Sequence, residues 1–132
     1  MNTQTPPKLS EIAKSQTSFG AVLRDVGIIF ALSFVGGLVI GVAVGATRSD
    51  QVTMAVGCSN ILFGIVGFTI AGCLARGNRW HHLAYVTLSV WLASLVNIPL
   101  GVTTFEHWFV FSPLLWIMMA IGGGISFIFK SR

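Results

Sequence analysis

RGNRWHH, residues Arg76–His82, is the most chemically loaded stretch in a 132-residue chain of which only 9% is charged. Two guanidinium groups, an indole and two imidazoles in a row have the makings of a metal, haem or nucleic-acid site. Adjacent histidines project about 100° apart on a helix, whereas zinc-binding pairs converge through i, i+4 spacing. The third histidine, His107, falls in a different loop, and a haem held between helices would want its ligands further down their spans than His81 and His82. Cys58 and Cys73 lie in one apolar run, about 22 Å apart along a helix at about 1.5 Å per residue. With no CxxC they read as packing residues rather than a redox or zinc pair. No cofactor, metal or catalytic residue is expected, and the two histidines read as interfacial side chains beside anionic lipid.

What must position these residues is a membrane. With 54% hydrophobic and 9% charged residues, against about 25% charged in an average soluble domain, the chain lacks the ionisable groups to cover a water-exposed surface. Fifteen glycines and four tryptophans fit helices packed in lipid with aromatic anchors at their ends. Four apolar runs reach the roughly 20 residues that a bilayer core demands: about 22–46, 52–74, 83–102 and 108–129. The short polar breaks between them predict an all-α, antiparallel four-helix transmembrane domain over 22–132. Residues 1–21 form a cytoplasmic segment, with Leu9, Ile12, Ala13, Gln16 and Phe19 spaced for a short interfacial helix.

Charge sets the orientation. Lys8, Lys14, Arg24, Arg76, Arg79, Lys130 and Arg132 fall on one side of the predicted spans and only Arg48 on the other, which places both termini in the cytoplasm of a bacterial-type inner membrane. The net charge of +4 is thereby spent on topology, and nucleic acid is excluded as a partner. Arg24, Arg76, Arg79, Trp80, Trp108, Lys130 and Arg132 are the expected interface anchors.

Small residues supply the packing surfaces, since membrane helices associate by close backbone approach. Ser33, Gly37, Gly41 and Gly45 form a ladder of every fourth residue in span one; Ser89, Ala93, Asn97 and Gly101 repeat it in span three. A constant offset of 56 positions relates the two and also pairs Gly67 with Gly123 and Arg76 with Arg132. It suggests a 2+2 hairpin repeat about an axis along the membrane normal. Gly57, Gly64, Gly67 and Ala71 line a seam on span two that Gly123 continues on span four.

Chemistry inside the spans is sparse. Arg24 and Asp25 are the ionisable groups nearest a span interior, and both are expected to snorkel to the inner interface. That leaves no membrane carboxylate for a proton-coupled transporter. Asn60 and Asn97, at similar depth in the outer half, predict an interhelical clasp or, with Ser59, Ser94 and Thr104, an outward vestibule. Trp91 and Trp116 sit within spans as bulky packing. The resulting expectation is a non-enzymatic assembly or accessory subunit, working as a homo-oligomer or in a larger membrane complex. The alternatives are a small oligomeric channel or permease for a neutral or anionic solute, or a cofactor-binding subunit using His81, His82 or His107.

Overall fold

The computed structural model describes residues 18–44 and 49–130. The expected N-terminal helix, Gly45, Arg48, Arg132 and the Lys130 side chain lie outside what it describes. Five α-helices account for most of it, with no strand among the described residues: α1 (Phe19–Val44), α2 (Ser49–Leu74), α3 (Arg79–Ala93), α4 (Phe105–Val110) and α5 (Ser112–Lys130). Three stretches are long and apolar enough to cross a membrane: Phe19–Ala43, Met54–Leu74, and Phe105–Phe129, which runs through α4 and α5.

The third expected span, 83–102, is not one helix. α3 stops at Ala93, a 3-10 turn covers Ser94–Asn97, and the chain then folds over itself through bonds from Ile98 N to the Leu95 carbonyl and from Val102 N to the Asn97 carbonyl, both 3.0 Å. Pro99 accounts for the stop, because it has no N–H to continue the ladder and its ring crowds the carbonyl one turn back. Gly101 completes the turn at φ +70°, a left-handed conformation that glycine adopts without steric cost. Gly101 is therefore a turn residue and not the last rung of a packing ladder. Thr104 restarts the helix, its Oγ1 accepting from His107 N at 3.3 Å. Pro113 separates α4 from α5 for the same reason that Pro99 ends α3.

α2 packs along both α1 and α5, while α3 packs along α1 and α5 from the other side. Close contacts give the directions. α1 and α2 run antiparallel, with Gly36 against Phe63 and Gly67 against Ile29; α2 and α5 run parallel, with Gly64 against Met118 and Gly72 against Ser126. The start of α1, the end of α2, the start of α3 and the end of α5 thus gather at one end of the bundle. α1 lies beside α3, so the two hairpins sit side by side. A twofold axis along the bundle would instead put these equivalent helices at opposite corners.

The core runs through Val22, Val26, Ile29, Phe68, Ala71, Leu83 and Val86. Its closest approach to a neighbouring backbone is at Gly122, where a Cβ would stand 2.6 Å from the Ile65 carbonyl oxygen and 2.7 Å from Phe68 Cβ. Gly64, Gly67, Ala71 and Gly123 pack inward. The ladder on α1 does not: Gly37 and Gly41 have nothing within 4 Å of a built Cβ, and neither has Gly57. The inward glycine of α1 is Gly36, one residue out of the expected register. On α3, Ser89 is half-buried and Ala93 exposed.

Candidate functional site

Three core residues of α1, Val22, Val26 and Ile29, define an inward stripe of i, i+4 and i+7 spacing. Asp25 stands on that stripe and is fully buried, at 0% exposure. Its expected escape to the interface is overturned: the register that buries Val22 and Val26 carries Asp25 inward with them. Arg24, one residue before it, turns outward, with its side chain 48% exposed.

α3 supplies the partner. Asn78 caps the helix by accepting from His81 N at 3.4 Å, and this fixes the register in which His82, Leu83, Val86 and Val90 face the core. The 100° step between neighbours that argued against a shared metal points His81 to the surface and His82 inward, at 4% exposure. His82 is therefore not an interfacial histidine. Its Nε2 lies 2.7 Å from Asp25 Oδ2, while the Arg24 guanidinium donates to Oδ1 at 2.7 Å. The same 2.7 Å geometry serves two protonation states: an Nε2–H donating to a carboxylate, or a protonated carboxyl donating to a bare Nε2.

Above the pair, the helices part around a cavity of about 410 Å³, lined mainly by apolar groups such as Ile29, Ile61, Val90 and Met118, with Ser33 and Asn60 as polar exceptions. Ile29 is one turn beyond Asp25, and Val90 two turns beyond His82. The two helices joined by the ion pair are thus also walls of the cavity. Its size and mostly apolar lining with few polar groups suit a small lipophilic molecule.

A second cavity, of about 240 Å³, adjoins Trp91, Ser94, Asn97 and Trp108. Trp108 was expected as an interface anchor but is 9% exposed. The turn at Pro99–Gly101 brings α4 back onto α3, so that Trp108 stacks on Trp91 with ring centroids 4.3 Å apart and donates from Nε1 to Ser94 Oγ at 2.9 Å. Trp91 Nε1 and Ser59 Oγ are buried without a hydrogen-bond partner. Trp116 is instead exposed, on the outer surface of α5.

Asn60 and Asn97 do not form the expected clasp. Asn60 lines the larger cavity and Asn97 the smaller, and no hydrogen bond joins the two amides among the described residues. The Asn97 carbonyl is used inside its own turn. A double-mutant cycle of Asn60→Leu and Asn97→Leu on melting in detergent should therefore give a coupling within about 0.3–0.5 kcal/mol of zero, the additivity expected of separate sites. A larger coupling would restore the clasp.

Among the described residues no group of three or more His, Cys, Asp or Glu side chains is placed to hold a metal ion. Cys58 and Cys73 are free thiols. The buried Asp25–His82 pair was missed in the sequence because its partners are 57 positions apart; the signal within reach was the position of Asp25 between Val22, Val26 and Ile29. No family model, no curated protein and no solved structure matches this chain.

Proposed function

We propose that the protein is a small, non-enzymatic, multi-pass membrane carrier for a neutral lipophilic solute, with solute movement linked to protonation of the Asp25–His82 pair. One observation carries this reading: a carboxyl group with no exposure, hydrogen-bonded across two helices that also wall an apolar cavity. Ionisable groups buried in membrane helices are costly and mark functional pathways. Asp25 supplies the buried carboxyl group that proton coupling requires. Protonating Asp25 removes its negative charge and with it the charge-assisted contacts to Arg24 and His82, leaving at most a neutral hydrogen bond between the two helices, which loosens α1 against α3. The cavity between them then changes its access.

In this reading all four long segments traverse the bilayer of the cytoplasmic membrane, with both termini inside, as the basic residues indicate. α3 alone covers about 22 Å at about 1.5 Å per residue. Its 3-10 continuation adds about 8 Å at about 2 Å per residue, which together match a core of about 30 Å.

The test is proton movement in liposomes enclosing a pH-sensitive dye, driven by gradients of a panel of neutral solutes. Vesicles with the parent protein should show solute-dependent proton uptake, and vesicles with Asp25→Asn should lose at least about nine-tenths of it. Identical traces across the whole panel would refute the coupling.

The Ser33, Gly37 and Gly41 face supports a second reading, assembly with another membrane-embedded chain. Of that face, Gly37 and Gly41 have nothing from the chain's own helices within 4 Å of a built Cβ, while Ser33 stands at the rim of the larger cavity, and such small-residue faces allow close helix approach.

A further inference from the structure

The end of the bundle that holds the Asp25–His82 pair also carries positive charge that the pair does not use. Arg76 is exposed in the short connection between α2 and α3. Arg79 begins α3 and is held in place: its Nη1 donates to the Ser126 carbonyl at 3.4 Å, and its guanidinium carbon lies 4.7 Å from the centroid of the Phe127 ring. Trp80 stacks on that ring at 5.7 Å. Among the described residues neither arginine pairs with a carboxylate. Asp25 is buried and engaged by Arg24 and His82, and Glu106 stands on α4, away from this end.

We infer that Arg76 and Arg79 bind the phosphate of an anionic phospholipid, with Trp80 and Phe127 as the shelf beneath its glycerol and upper acyl region. Charge complementarity requires an anion, and guanidinium forks match phosphate oxygens in paired hydrogen bonds. The shelf selects a lipid over a free ion. Trp80 and Phe127 are both partly exposed, and Leu74, Ile128 and Phe129 continue the apolar surface beside them. A free phosphate has no use for that surface, whereas acyl chains do. Arg79 is already oriented by Ser126 and Phe127, so less side-chain freedom is lost on binding than at an unrestrained surface arginine. This site rests on the membrane reading and is independent of proton coupling.

The experiment is native mass spectrometry of the full chain in mild detergent, titrated with phosphatidylglycerol or phosphatidylcholine, with and without millimolar inorganic phosphate. Phosphatidylglycerol should be retained preferentially. Arg76→Gln and Arg79→Gln should each weaken it by about fivefold, the share of one basic residue near an anionic surface, and the double variant by about twenty-five-fold. Trp80→Ala should shorten retention without restoring phosphatidylcholine. Arg79→Lys retains the charge and loses the fork, so it should fall between parent and Arg79→Gln. It also serves if the double variant melts at a lower temperature than the parent. Equal retention of the two lipids, or Gln variants that bind as the parent does, would overturn the proposal. Displacement by inorganic phosphate would reassign the site to a free anion and overturn it equally.

Discussion

His82→Leu should lower the stability of the protein by about 3–5 kcal/mol, the range for stranding one partner of a buried ion pair. The Asp25 carboxylate stays at 0% exposure and retains only Arg24, whose half-exposed side chain is screened and contributes less. Asp25→Leu should be milder, about 1–3 kcal/mol, because it leaves an imidazole without its acceptor rather than a carboxylate without its partner. The variant with both Leu substitutions should recover to within about 1 kcal/mol of the parent or exceed it, since well-packed apolar side chains often replace buried pairs without loss. Melting in detergent checks all three. Liposome assays of the double variant then separate structure from function: it should be folded and should show no proton-linked flux. A folded double variant with parental flux would reduce the pair to a strut between α1 and α3.

Gly122→Leu should be the most damaging single change on the packing surfaces. Even Gly122→Ala places a methyl 2.6 Å from the Ile65 carbonyl oxygen and 3.0 Å from Thr69 N. These are backbone atoms, so relief requires α2 and α5 to move apart. Overpacking of this kind costs about 1–3 kcal/mol for modest insertions, and Leu should exceed that range. Gly124, two residues on, has nothing within 4 Å, and Gly124→Ala should melt like the parent or slightly higher, because alanine is the better helix former. Gly41→Leu should also leave the melting of the single chain unchanged, as its side faces open space. If larger species are present in mild detergent, their loss in Gly41→Leu but not in Val39→Leu measures the assembly reading. Equal melting of the Gly122 and Gly124 variants would mean that α2 and α5 do not meet there.

Helix content and the stretches long and apolar enough to cross a membrane were legible from composition and run length alone, because apolar segments in a hydrocarbon solvent must satisfy their backbone internally, and helices do so locally. The α1 and α2 runs were read nearly to their ends for this reason. The end of α3 was equally local, written in Pro99 and Gly101, although run length alone overrode it. What the sequence did not determine is which side of each helix faces inward. In a soluble helix polar residues mark the outer face, but α1 is apolar almost all round, and lipid accepts the same side chains as the core. Hence the ladder of Ser33, Gly37 and Gly41 looked like the packing face, while the chain packs through Gly36; hence also Asp25 was assigned to the interface. Only tertiary structure decides such a choice. Asp25 is tolerable inside because α3 brings His82 within 2.7 Å of it, and that meeting is a property of how two helices are set side by side, not of either helix by itself.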